Sequence, residues 1–237
     1  MFDSPTSTDH TLEIDGRAVP LRVRRNIRAR RLILRIDEDT GGAVVTIPSR
    51  TSVQDGVNMA KRKAAWIAEQ LKRRSQPLAF VDGLVLPMMG QTLVVRHEVG
   101  RSRTRRREDE IVVSGGLEHL PRRLTDWLKA QARAEFTTRA HEKADRLQVR
   151  FAGISVRDTT SRWGSCSARG QLNFSWRLVL APDYVLDYVV AHEVAHLVHH
   201  NHSADFWTLT NSLTDHMYQA KTWLKAHGRD LHRYGGV

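Results

Sequence analysis

Cysteine is nearly missing from this 237-residue chain, in which Cys166 is the one thiol. A single cysteine excludes an internal disulfide, and with it a small fold stapled by disulfides. The chain also lacks an apolar run long enough for a membrane span, because its most apolar stretch, residues 184–198, is interrupted by charged and imidazole side chains. No apolar N-terminal stretch resembles a signal peptide. These absences predict a cytoplasmic protein with no membrane contact.

Acidic residues are outnumbered, with 26 Asp and Glu against 37 Lys and Arg, for a net charge of +11. Residues 151–237 hold six Arg and two Lys against six Asp and one Glu, so they carry +1 and residues 1–150 carry the other +10. The N-terminal arginines cluster at residues 22–31 and 101–107. Such clusters attract phosphate backbones, which makes nonspecific nucleic-acid contact one interpretation. The other is a solvated strand face, because Arg22 and Arg24 alternate with apolar residues.

The hydrophobic pattern predicts an α+β protein without an evident internal repeat. We expect a flexible terminus at residues 1–10, a basic β-rich domain at residues 11–117 and a second domain at residues 118–237 that carries the histidines. Strand patterns and one helical pattern, at residues 53–72, fill the first domain; the strands are at residues 12–14, 19–25, 32–36, 44–47, 84–87, 92–97 and 111–113. The second domain is predicted to contain a helix at residues 120–147, strands near 154–158 and 172–175, and helices at 182–200, 203–213 and 215–227.

Histidine is concentrated near the C-terminus, where five of the twelve histidines lie between residues 192 and 202. The predicted helix from Pro182 has proline in its first turn and apolar residues over much of its circumference, which predicts burial. His192 and His196 are one helical turn apart, so they can bind the same metal ion. Glu193 follows the first of them. This HExxH spacing is typical of zinc hydrolases, in which two imidazoles hold Zn²⁺ and the glutamate acts on its water.

The third ligand needs a separate argument. His199 returns to the same helix face, but it lies about 10 Å along the axis from His192. Asn201 tolerates the left-handed conformation and can end the helix, which would let His202 return to the ion. We therefore expect His202 as the third ligand, with His199, Asp205 or a distant carboxylate as alternatives. Three protein ligands leave a fourth position for water, as in catalytic zinc sites.

Further blocks surround the histidine motif: SRWGSCS at residues 161–167, FSWRL at 174–178, DYVVA at 187–191 and NHS at 201–203. Together with HExxH, they resemble the YgjP-like predicted zinc metallopeptidases, relatives of the SprT and WLM proteases, most specifically over residues 150–225. The resemblance implies that His192, His196 and His202 bind the metal and that Glu193 is the general base. It also implies a zincin-like C-terminal part with a small sheet, packed against the basic N-terminal part.

The predicted function is a zinc-dependent peptidase that cleaves a protein or peptide by attack of water, with Glu193 taking the proton. One alternative is a metal hydrolase acting on another amide or ester. The other is a basic nucleic-acid-binding protein with a structural metal, in which His199 or His200 completes a closed site. We expect Trp176 and Phe206 in the core. Residues 172–175 are a candidate strand edge for pairing with an extended peptide.

Overall fold

The computed structural model describes residues 7–37, 40–72 and 77–235, within two compact units, Met1–Ser75 and Gln76–Val237. This division falls earlier than the domain boundary expected at residues 117/118. The reason is that apolar residues of the sheet at 85–114 belong to the same core as the helices that follow. Both units combine helices with a sheet, so the predicted α+β class is confirmed. In the ranges described, no helix has the length and apolar composition of a membrane span.

The first unit is a four-stranded sheet with two helices on one face. Its strands pair in the order β1-β2-β4-β3, and their bounds are β1 Ser7–Ile14, β2 Arg17–Arg25, β3 Ile33–Asp37 and β4 Gly42–Ile47. β1 thus begins inside the segment expected to be a flexible terminus. Strand alternation in β2 buries Leu21 and Val23 and leaves the arginines outside. α1 (Val53–Arg62) and α2 (Ala64–Lys72) replace the single helix predicted at residues 53–72, because α1 ends at Arg62 and Lys63 is its C-cap.

The second unit opens with a sheet of the same topology. β5 (Val85–Met88), β6 (Gln91–Glu98), β7 (Arg105–Arg107) and β8 (Glu110–Ser114) pair in the order β5-β6-β8-β7. In both sheets the two outer pairs are antiparallel and the central pair is parallel. The fold therefore contains a structural repeat that was not evident in the sequence. β7 was not predicted, since three consecutive arginines show no strand pattern.

Strand arginines of the second sheet make ion pairs with acidic residues of other strands in the same sheet. Arg96 and Arg107 lie 3.1 and 2.8 Å from Glu110, and Arg105 lies 3.0 Å from Glu98. These contacts fit the interpretation of a solvated strand face. Nothing in the described part of the chain supports nucleic-acid contact.

Three helices and a small sheet complete the second unit around the long helix α3 (Leu120–Arg146). The sheet has the order β10-β11-β9, and the remaining elements are β9 Gly153–Arg157, β10 Gly164–Cys166, β11 Gln171–Ser175, α4 Asp183–Ala195, α5 Ala204–Ser212 and α6 Met217–His227. Trp176 and Phe206 are buried, as expected. The strand-edge interpretation of residues 172–175 is wrong, because β11 is the central strand and β10, which was not predicted, lies at the edge.

Helix α4 is held against α3 by buried charges as well as by apolar packing. Lys143 of α3 is 6% exposed, and its Nζ lies 2.7 Å from Oδ1 of Asp187 and donates to the carbonyl of Leu213. Arg139, one turn earlier, contacts Asp183 at the start of α4. These contacts fix the position of α4, which carries the histidine motif.

Candidate metal centre

Helix α4 ends earlier than predicted, at Ala195 rather than near residue 200. His196 is its C-cap, and the amides of Leu197 and Val198 donate to the carbonyls of Val194 and Ala195, three residues before each. This tight turn stops the helix directly after the HExxH motif. His199 consequently does not continue along the face of α4.

The imidazoles of His192, His196 and His202 converge at the end of α4. Nε2 of His192 and Nε2 of His202 lie 3.2 Å apart, and one nitrogen from each of the three rings lies within 4.8 Å of the others. Two nitrogens bound tetrahedrally at the usual Zn–N distance of about 2.0–2.1 Å are about 3.3 Å apart. The spacing of His192 and His202 therefore fits a shared metal ion. Within the described ranges, no other group of three or more His, Cys, Asp or Glu has such a geometry.

The ring of His196 is oriented by the turn that ends α4. Its Nδ1 lies 3.0 Å from the carbonyl oxygen of His199, which can only accept a hydrogen bond. Nδ1 therefore carries the proton, and the lone pair of Nε2 is left for a metal. His199 thus helps to orient His196 through its backbone carbonyl. In contrast, Nδ1 of His192 is buried and has no hydrogen-bond partner among the described residues.

Burial keeps two of the three imidazoles neutral. It lowers the pKa of His192 to about 3, with smaller effects in the same direction from the neighbouring His196, His202 and Lys221. Burial also lowers the pKa of His196. A neutral imidazole keeps the lone pair that a metal requires, so these rings are in the form that binds metal at neutral pH.

Glu193 is buried between α4 and the edge strand β10 and is 5% exposed. It contacts β10 closely, because a Cβ at Gly164 would lie 2.6 Å from its Oε1. The backbone N–H of Cys166 donates a hydrogen bond to the Glu193 carboxylate. Burial raises the pKa of Glu193 to about 7, against the smaller lowering effects of this hydrogen bond and of the charge of Arg162. Sequence reasoning missed this role of Gly164, although it lies inside the SRWGSCS block at residues 161–167.

The chain reverses after α4 without the left-handed residue that was predicted. Asn201 is not among the described residues with positive φ; instead its Oδ1 accepts a hydrogen bond from the amide of Ser203. Ser203 then caps α5 by accepting from the amide of Phe206. The predicted conformation of Asn201 is therefore wrong, and the capped start of α5 places the rings of Phe206 and Trp207 beside the histidines.

Aromatic rings of α5 support the histidine cluster. Phe206 stacks on His196 with ring centroids 4.5 Å apart, and Trp207 stacks on His202 at 5.5 Å. Tyr188, one turn before His192 on α4, packs edge-on against it at 6.0 Å. Burial and the charge of Glu193 raise the pKa of Tyr188 to about 12 and that of Cys166 to about 11. Both groups therefore keep their protons at neutral pH, and Cys166 is not an activated nucleophile.

A family model described as YgjP-like, metallopeptidase domain, matches residues 30–227. No curated protein and no solved structure shows a significant match. The matched range begins in the first compact unit and includes the whole histidine cluster, so it covers much more of the chain than the HExxH motif.

Proposed function

Because this chain belongs to the YgjP-like metallopeptidase family, we propose that it is a zinc-dependent peptidase with a zincin-like active site at the end of α4. His192, His196 and His202 would hold the zinc, which when bound lowers the pKa of a water molecule and polarises the scissile carbonyl. The convergence of these three rings next to the buried Glu193 is the observation that carries the proposal.

Glu193 is the proposed general base. Its carboxylate would take a proton from the attacking water and pass it to the leaving amine. Without a metal the pKa of Glu193 is about 7, and a bound cation would lower this pKa and favour the carboxylate that takes the proton. The hydrogen bond from Cys166 and the contact with Gly164 would hold the carboxylate in position.

The edge strand β10 is the proposed binding element for the peptide backbone. Trp163 and Ser167 pair with β11, so the alternate residues Gly164 and Cys166 turn their backbone groups away from it. The Glu193 carboxylate accepts a hydrogen bond from the N–H of Cys166. The N–H and C=O of Gly164 are then left to pair with an extended substrate, next to the general base.

Metal analysis and a proteolysis assay test this proposal together. Purified protein should contain one zinc per chain and cleave an unstructured protein such as casein. Glu193→Gln should keep the zinc and lose activity, whereas His192→Ala should lose both. His200→Ala is the matched control, because His200 is exposed and outside the cluster; it should change neither.

Other outcomes would contradict the proposal in distinct ways. Loss of zinc in His200→Ala would favour a closed structural site. Cleavage of small amides or esters but not of peptides would favour a different hydrolase. Full proteolysis by Glu193→Gln would exclude Glu193 as the general base.

A further inference from the structure

Lys221 of α6 stands beside the histidine cluster. Its Nζ lies 4.0 Å from the centroid of the Trp207 ring, a cation–π contact that holds the ammonium group in place. The same ring is 5.5 Å from His202 and 5.7 Å from His192, measured between ring centroids. One aromatic ring thus separates a positive charge from two of the proposed metal ligands.

Arg162 is a second cation near the site, and its charge acts on Glu193. It lies two residues before Gly164, where an added Cβ would come within 2.6 Å of Oε1 of Glu193. The loop that carries it is anchored, because Trp163 stacks on His232 with ring centroids 5.1 Å apart and contacts Gly228. The side chain of Arg162 is exposed.

Neither cation forms an ion pair with a carboxylate among the residues that the structure describes. The arginines of the second sheet, in contrast, pair with Glu98 and Glu110. Two unpaired cations next to a site that would also hold a divalent metal create a strongly positive local field. Such a field favours a ligand that brings negative charge, and it disfavours a cationic one.

Resting on the proposed peptidase function, we propose that Arg162 and Lys221 select substrates with a carboxylate close to the cleaved bond. The carboxylate belongs either to an acidic side chain or to the C-terminus of the substrate. The guanidinium offers a planar pair of donors, and the ammonium offers a point charge, so both suit a carboxylate.

Matched peptides measure this selectivity in the zinc-loaded protein. One pair of fluorogenic peptides differs only by Glu or Gln next to the cleaved bond, and a second pair differs only by a free or amidated C-terminus. We expect kcat/KM to be about 1.5-fold to fivefold higher for one carboxylate-bearing peptide, the range for exposed charge pairs. The pair that shows the difference identifies the source of the carboxylate. The preference should shrink as salt is raised.

Charge-removing variants test the two residues. Lys221→Met keeps an apolar stem over Trp207, and Arg162→Gln keeps a polar side chain; each should lower the preference, and the double variant should abolish it. Lys221→Arg, which keeps the positive charge, should keep the preference for the carboxylate peptide. The matched controls are Lys225→Met, one turn further along α6, and Arg169→Gln, in the turn between β10 and β11, both exposed. They should leave the preference unchanged.

Binding provides a readout that does not depend on turnover. Zinc-loaded Glu193→Gln protein should bind the carboxylate peptide more tightly than its neutral counterpart, measured by calorimetry, and adding Lys221→Met should reduce the difference. Equal affinities would overturn the proposal. Cleavage without any carboxylate preference would overturn it while leaving the peptidase function intact. Preferential binding without cleavage of any peptide would support the carboxylate site and count against the peptidase function.

Discussion

Replacing Glu193 by glutamine should stabilise the metal-free protein at alkaline pH. The carboxyl group is buried, and its folded-state pKa of about 7 lies above the ordinary value of 4.5. The folded chain therefore binds this proton more tightly than the unfolded chain. The contribution of Glu193 to the free energy of unfolding of wild type must therefore fall as pH rises from 4.5 to 7, and it falls no further above pH 7. Glutamine has no proton to lose, and its side-chain oxygen still accepts the hydrogen bond from Cys166.

The size of the effect follows from the pKa difference. A shift from 4.5 to about 7 corresponds to roughly 3 kcal/mol at pH 8, at 1.36 kcal/mol per pKa unit. At pH 5 the same relation predicts that wild type and Glu193→Gln differ in stability by less than about 1 kcal/mol. The neighbouring charged and titratable groups are Arg162, His192, Cys166 and Tyr188. They are common to both proteins, so their own titrations largely cancel in the difference.

Urea unfolding of the chelator-treated proteins at pH 5 and pH 8 measures this difference. Glu142→Gln is the matched control, because Glu142 is exposed on α3 and its replacement should change stability little at either pH. Zinc should reduce the difference in free energy of unfolding between wild type and Glu193→Gln, since a nearby cation favours the carboxylate. If wild type and Glu193→Gln differed in free energy of unfolding by the same amount at both pH values, burial could not be what disfavours the charged form of Glu193.

Three other substitutions test contacts that hold the site and the core in place. Lys143→Met should destabilise the protein by about 1.5–3 kcal/mol in urea unfolding, because it leaves the partly buried Asp187 with only Arg139, at 3.6 Å, as a cationic partner among the described residues; an effect below about 1 kcal/mol would mean that water replaces the lysine. Gly164→Ala should impair proteolysis while retaining zinc, since the new Cβ would collide with Glu193; normal kcat would show that β10 can move away. Phe136→Ala, which removes a buried ring stacked on Phe174 at 4.6 Å, should cost about 3–5 kcal/mol in thermal or urea unfolding; a smaller loss would indicate collapse of the core around the cavity.

The repeated sheet shows one limit of sequence reasoning. Most strands of both sheets were predicted from local alternation of apolar and polar residues. Their order was not, because it depends on which strands pair over a long sequence separation. The shared topology therefore became visible only when the parallel pairs β2–β4 and β6–β8 were known.

Local periodicity was sufficient for the long helix α3 and for the helix that carries His192 and His196, because a helix brings residues four apart together whatever surrounds it. The tendency of large aromatic side chains to be buried predicted correctly that Trp176 and Phe206 lie in the core. The end of α4 was predicted incorrectly, since helix termini depend on short-range turn geometry that apolar periodicity does not encode. His202 was expected as a third ligand from the reversal after Asn201, but a different turn brings it to His192, and its role as a ligand stays a prediction.

The sequence by itself determined a buried helix with two histidines one turn apart and a glutamate beside the first. Only the tertiary structure decided what surrounds that helix. Gly164 lies far from Glu193 in the sequence, and it meets the carboxyl group because β10 pairs at the edge of β11 and packs against α4. That contact, and with it the burial that raises the pKa of Glu193, arises from packing between distant segments, which no local pattern specifies.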